Sequence, residues 1–425
     1  MEGEKISARF FTNSSDTSFN DTIPSTSTHR QLSTILNGHL ESRNYVSKPY
    51  VFLIDGKLFP ISLGLDKFLL HNGIYVNKKK MLEIEYTLPV EVEVGPLVHG
   101  GPVSAVDCSC PGIILTGCND GKVRLWKDDG SCTQILEAHT GAIRCVSIIN
   151  PLGKDATLVT ASTDKTIKLW KMDSKEIGIS PFKILHGHAA AGVRCVAANP
   201  SGSRFCSGSF EKTVKVWQTD GAASEVCSGS MKKMKTESGA KESQMEDNPV
   251  CSLEGHAALV SSVAWPVGNT IYSASWDCTI REWDVEKCSL VSTKSCGRPF
   301  SCLSVAESGS NILAAGGFDG KLRIYSPNQP DKSRRVAKFS SHNKEISACQ
   351  WHKDSVHLLT ASLDGTVMMW DVRNGGYAVI ESHEHSVLCT DWWEGYRVIS
   401  GGVDAKLRIS SSATLPLKEP KLMST

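Results

Sequence analysis

No stretch of this 425-residue chain is apolar for long enough to cross a membrane. Its first residues, Met-Glu-Gly-Glu-Lys-Ile-Ser, lack the apolar core of a secretory leader. Charge of one sign is also missing. A formal net charge of +1 gives no global pull toward nucleic acid or an anionic membrane. Aromatics make up only 7% of the residues. The fifteen cysteines include no Cys-x-x-Cys, and Cys108-Ser109-Cys110 is too isolated to argue for a metal. An apolar content of 40% with 21% charged residues reads as a soluble globular chain of two or three domains.

What is present is a phrase used seven times. An acid follows a run of small residues and stands six positions before an aromatic. Asp120 leads to Trp126, Asp164 to Trp170, Glu211 to Trp217, Asp277 to Trp283, Asp319 to Tyr325 and Asp364 to Trp370. Asp404 is the seventh acid, with Ser410 in the aromatic position. Successive acids lie 44, 47, 66, 42, 45 and 40 residues apart. A His stands upstream of six of them: His99, His139, His188, His256, His342 and His383. The fifth unit has none. Each unit also carries a small residue two positions past a branched or aromatic one: Ala105, Cys145, Cys195, Ser262, Cys302, Ala348 and Cys389. A period near 40–47 residues with these signatures is that of WD40 repeats, so the expected fold is a seven-bladed β-propeller. The small positions mark the innermost strands, where blades crowd the axis. Cysteines there read as reduced core thiols of an intracellular protein.

In the WD40 pattern the His, a strand Ser/Thr, the turn acid and the Trp form a buried hydrogen-bonded chain. Each acid closes a tight turn by accepting nearby backbone N–H groups. Such sets resemble catalytic triads, but a network present in every blade is structural, and no catalytic residue or cofactor is expected.

The chain is expected to be mostly β; residues 1–88 lack the repeat and read strand, helix, strand, helix, strand. Lys5–Thr12 reads as a strand, residues 22–28 as a Ser/Thr/Pro loop and residues 28–40 as a helix with Leu32, Ile35, Leu36 and Leu40 on one face. Asp55-Gly56 signals a hairpin, residues 65–70 a short helix, and Leu82-Glu83-Ile84-Glu85-Tyr86 a strand with one wet face. This order fits a small α+β ubiquitin-like β-grasp domain. The propeller is expected over 89–412, with a disordered insertion at 219–249 and a flexible tail at 413–425. Lys232, Lys233 and Lys235 in the insertion form a candidate nuclear-import run. The alternating segment 87–94 is expected to supply the outer strand of the last blade and close the ring.

A ubiquitin-like domain fused to seven blades resembles the WD-repeat subunit of the PeBoW ribosome-biogenesis complex. Local matches include Leu82–Tyr86, Ile114-Leu115-Thr116-Gly117, Phe205–Ser209, Lys232–Glu237, Ser273–Asp277 and Ser400-Gly401-Gly402. The relative notchless shares the first domain but has eight blades. The resemblance implies a non-enzymatic factor of the nucleus, nucleolus and nucleoplasm, needed for large-subunit rRNA and pre-60S maturation. It implies three partners: the block-of-proliferation protein, bound propeller to propeller, pescadillo, and the AAA ATPase midasin. Midasin would be met by the ubiquitin-like domain through an acid that completes a metal ion's coordination. Relatives carry acids where Lys79 or Lys80 stands here, so no such residue is carried over; Glu83, Glu85 and Asp66 are the substitute candidates. An alternative is a substrate receptor of a cullin–RING ubiquitin ligase, because Trp370-Asp371-Val372-Arg373 matches a WDxR box.

Overall fold

The structure is a computed structural model. It describes residues 5–12, 15–27, 29–41, 51–54, 57–58, 65–71, 74, 81–87, 92–127, 129–149, 156–173, 176–178, 180–188, 191–219, 248–266, 268–306, 311–326, 335–340, 342–373 and 375–411. The Lys232–Lys235 run, nearly all of the 219–249 insertion, Lys78–Lys80, Asp55-Gly56 and the 413–425 tail lie outside these residues.

The first unit contains strands β1 (Lys5–Thr12), β2 (Ser15–Pro24), β3 (Val51–Ile54), β4 (Lys57–Leu58) and β5 (Leu82–Thr87), with helices α1 (His29–Glu41) and α2 (Leu65–His71). The sheet order is β2-β1-β5-β3-β4, and β5 runs parallel to β1. That is the β-grasp order. Leu32, Leu36 and Leu40 of α1 and Leu65 and Leu69 of α2 cover Phe10, Phe52, Ile54, Leu82 and Ile84 of the sheet. One expectation is corrected here. Residues 22–24, read as loop, end a full second strand, because Thr, Ser and Asn can alternate along a strand whose outer face is wet. Only Ile23 of that stretch is buried completely.

Seven further sheets follow. Their first strands are Val103–Asp107, Ile143–Ile149, Val193–Ala198, Val260–Ala264, Phe300–Val305, Ile346–Trp351 and Val387–Trp393. Each first strand packs on the next, and the seventh packs on the first, so the ring closes. The seventh sheet takes its outer strand from β6 (Val92–Val98), which pairs antiparallel with Lys406–Ser411. The closing strand therefore overlaps the expected 87–94 segment only at its end, because Thr87 already belongs to β5. The insertion falls between the third strand, Val214–Gln218, and the fourth, Cys251–Leu253, of the third sheet.

Two devices repeat around the ring. Every first strand carries a β-bulge one residue after its start, at Ser104, Arg144, Arg194, Ser261, Ser301, Ser347 and Leu388. The serines use it to reach the next sheet: Ser261 Oγ donates to the Phe300 carbonyl at 2.8 Å and Ser347 Oγ to that of Val387 at 2.7 Å. Beside the bulge, the second strands alternate Gly117, Ala161, Gly208, Ala274, Gly316, Ala361 and Gly401. The glycines admit the next sheet's branched side chain. A Cβ on Gly208 would stand 2.6 Å from Val260 Cγ1. The residue after each turn acid has a positive φ in all seven units, including the non-glycines Lys165, Lys212, Cys278 and Ala405.

Candidate functional site

The repeat residues come together in four sheets as a complete donor chain. In the second, Trp170 Nε1 donates to Thr160 Oγ1 at 3.0 Å, Thr160 lies 2.7 Å from His139 Nε2, and His139 Nδ1 lies 2.8 Å from Asp164. The third sheet repeats this with Trp217, Ser207, His188 and Glu211. The fourth uses Trp283, Ser273, His256 and Asp277, and the sixth uses Trp370, Thr360, His342 and Asp364. The direction follows from chemistry. The indole can only donate and the carboxylate can only accept, so the hydroxyl passes its proton toward Nε2, and the ring carries its proton on Nδ1.

These are bonds of a neutral imidazole. Burial lowers the pKa of His188 to about 4, against the opposing pull of Glu211. At Asp364 burial pushes the carboxyl up, but His342, Thr366 and the Asn343 N–H outweigh it and hold it at about 2. Asp277 is likewise held at about 2, because Thr279, the Ala257 N–H and His256 overcome its burial.

Three sheets depart from the chain. In the first, His99 Nε2 keeps Thr116 and Trp126 Nε1 still donates to it, but Nδ1 turns to the Leu97 carbonyl at 3.1 Å. Asp120 is taken by the Arg124 guanidinium at 2.6 Å, so the expected His99–Asp120 bond is absent. The fifth sheet has the same acid–guanidinium pair, Asp319 with Arg323 at 2.6 Å, and Ala315 where the hydroxyl would stand. In the seventh, His383 reaches both Ser400 and Asp404, and Glu381 fills the place left by Ser410. Arg124 and Arg323 carried no distinguishing signal, because Lys168, Lys215 and Arg281 hold the same place in sheets whose acid keeps its His. Nothing in the sequence marked Glu381.

The residue before each turn acid lines one rim of the ring. Its N–H donates at 2.9–3.2 Å to a carbonyl of the loop entering the same sheet. On three successive sheets it is aromatic: Phe210, Trp276 and Phe318. Phe210 and Trp276 are 41% and 43% exposed, and Trp276 meets Phe318 edge-on at 5.2 Å.

On β5, Leu82, Ile84 and Tyr86 face the helices, and Glu83 and Glu85 the opposite side. Glu83 is exposed beside a shallow depression lined by Arg9, Ser18, Phe19, Asn20 and Met81. Asp66 is exposed in the first turn of α2, on the helical side, so the structure does not bring it to the other two acids. In the WDxR segment, Asp371 is buried and clamps Arg373 through Nη2 at 2.7 Å and Nε at 3.1 Å.

Comparison with known proteins agrees with this architecture. The family model described as WD domain, G-beta repeat matches residues 94–127, 130–171, 179–218, 247–284 and 333–371. The fifth and seventh sheets, with Tyr325 and Ser410 in the tryptophan position, are the ones it passes over. The NLE (NUC135) domain model matches residues 6–69. A protein of Arabidopsis thaliana named ribosome biogenesis protein WDR12 homolog is 43% identical over 98% of this chain and 99% of its own length. The chain belongs to the WDR12 homolog family. Relatives of the same name from Oryza sativa subsp. japonica and Ixodes scapularis are 41% and 31% identical, over 92% and 96% of this chain and 91% and 99% of their own lengths. Members of the WDR12 family thus align from the β-grasp strands through the closing sheet.

Proposed function

We propose that this chain is a non-enzymatic ribosome-assembly factor: a scaffold whose propeller holds an assembly complex and whose β-grasp domain recruits a remodelling ATPase. The observation that carries this reading is the near full-length likeness to relatives named for ribosome biogenesis. The site chemistry agrees with it. Each Ser or Thr hydroxyl of the repeat chains is buried between an indole or carboxylate and an imidazole, where it serves the fold. The aromatic arc of exposed Phe210 and Trp276 and half-buried Phe318 suits a protein partner. The partners proposed are the block-of-proliferation protein at the propeller, pescadillo through it, and midasin at the β-grasp face, with a nuclear and nucleolar location. Glu83 and Glu85 offer hard oxygen donors to a metal ion held by midasin.

Affinity purification of the full chain from its own cells tests the assembly role. Recovery of block-of-proliferation-like and pescadillo-like proteins is expected, and recovery of a cullin adaptor instead would favour the ligase reading. Glu83→Ala and Glu85→Ala should weaken midasin binding while leaving the propeller partner bound. If neither does, docking runs through another surface.

A further inference from the structure

The turn between the first two strands of the sixth sheet, Ile346–Trp351 and His357–Ser362, holds a cluster that the repeat chains do not use. Donor atoms of His352, Asp354 and His357 all lie within 4.8 Å of one another. Asp354 Oδ2 is 3.0 Å from His352 Nδ1 and 2.6 Å from His357 Nδ1. The Tyr396 hydroxyl, from the matching turn of the seventh sheet, donates to the same oxygen at 3.0 Å. The other carboxylate oxygen accepts the Val356 and His357 N–H groups at 2.8 and 2.9 Å, which fixes the carboxylate plane.

The His352 ring is oriented from outside. Its Nε2 lies 3.1 Å from the Gly395 carbonyl. A carbonyl only accepts, so Nε2 carries a proton. Nδ1 then faces a carboxylate oxygen 3.0 Å away. The Asp354 N–H also approaches Nδ1, at 3.3 Å. The gap between Nδ1 and the carboxylate oxygen is one that a proton fills in the metal-free protein and that a metal ion can take in its place. The ring cannot swing aside, because it stacks on Tyr396 at 4.5 Å and abuts Trp392 at 4.7 Å. An outer hydrogen bond to a backbone carbonyl is what fixes the tautomer of metal-binding histidines.

We propose that His352, Asp354 and His357 form a surface site for a late first-row divalent cation of the Zn²⁺ class. Two imidazole nitrogens and one carboxylate match that ion better than Mg²⁺ or Ca²⁺, which need more oxygens. Bonds of about 2.0–2.2 Å in a tetrahedron place ligand atoms about 3.3–3.6 Å apart. The 3.0 Å separation is close to that, and the 2.6 Å one opens by a small movement of Asp354, whose side chain is 27% exposed. His357 moves its proton to Nε2 on binding. The fourth position faces solvent and Tyr396. Arg373, which feels the Asp354 charge, is already neutralised by Asp371.

The test is a Zn²⁺ titration of the chelator-stripped full chain by calorimetry, with millimolar Mg²⁺ present. The unaltered protein should bind one more equivalent, at micromolar Kd, than His357→Gln, and His352→Gln should lose the same equivalent. Both variants should melt with the unaltered protein in the absence of metal. If either fails to fold, imidazole ¹⁵N spectra of the unaltered protein decide: Zn²⁺ should shift Nδ1 of two histidines. Equal binding by the variants, or no such shift, overturns the site.

Discussion

Ser400 Oγ, on the second strand of the seventh sheet, lies 2.8 Å from Glu381 Oε2 on the outer strand of the sixth, at the one His-bearing repeat chain that has no tryptophan. In five other sheets an indole N–H feeds the hydroxyl at this place. A carboxylate cannot donate, so the seventh chain needs one more proton than its neighbours. Here Ser400 donates to the Glu381 carboxyl, and burial raises the Glu381 pKa against the pull of His383 and Arg408.

A group with a raised folded pKa contributes stability that is complete below its unfolded value and fades as pH rises through the folded one. Glu381→Gln keeps the shape and supplies a permanent N–H donor. It should leave stability unchanged near pH 4 and raise it at neutral and alkaline pH. Urea melts of both proteins at several pH values measure this, and a variant less stable at pH 8 would contradict it.

His99 and His188 act in the opposite direction. Burial lowers each to about 4, from 6.5. The unfolded chain therefore binds protons that the folded one refuses, and stability falls as pH drops from about 6.5 toward 4. Each histidine can contribute about 3 kcal/mol to that loss. The melting temperature should decline across this window, and less steeply in His188→Gln.

Thr360 accepts from Trp370 and sits against His342 within one buried chain. Thr360→Val keeps the volume and removes both partners' bonds. A cost of about 2–4 kcal/mol is expected in chemical denaturation, because two buried polar groups are left unpaired. The matching fifth-sheet residue is already Ala315, so Ala315→Val should act only through packing.

Gly208→Ala should cost about 1–3 kcal/mol by overpacking. The new methyl would meet Val260 and Cys195 at 2.6 and 2.7 Å. Val260→Ala in the same chain should recover part of the loss, and an additive double mutant would argue against direct contact.

Removing residues 1–91 leaves β6 in place, whereas removing 1–98 strips the outer strand of the seventh sheet. The second truncation should melt well below the first, because Lys406–Ser411 becomes an open edge. Equal melting temperatures would show that the ring holds without its clasp.

The number of sheets, their turns and most of the chain residues were legible, because each sheet repeats one set of chemical needs. A His, a hydroxyl, an acid and a Trp at fixed spacing have few other uses. What was hidden lies where the repeat breaks. Arg124 competes with His99 for Asp120, and only the three-dimensional placement shows that the guanidinium wins. β2 was missed because its polar residues alternate without an apolar stripe on the wet side. Glu381 reads as an ordinary strand acid until Ser400 is seen beside it. The β5 acids were placed on one face by alternation alone, but only the fold separates Asp66 from them.

Pairing β6 with Lys406–Ser411 also has a consequence for synthesis. Val98 meets Lys406, roughly 300 residues later in the chain. At about 5–20 residues per second, β6 leaves the ribosome on the order of 15–60 s before its partner exists. During that interval the first six sheets can form in order, each on the one before, while the N-terminal segment stays unmatched. The circle becomes a circle only once residues 406–411 have been made, so a nascent chain halted before residue 406 would carry both ends of the ring exposed and open to chaperones.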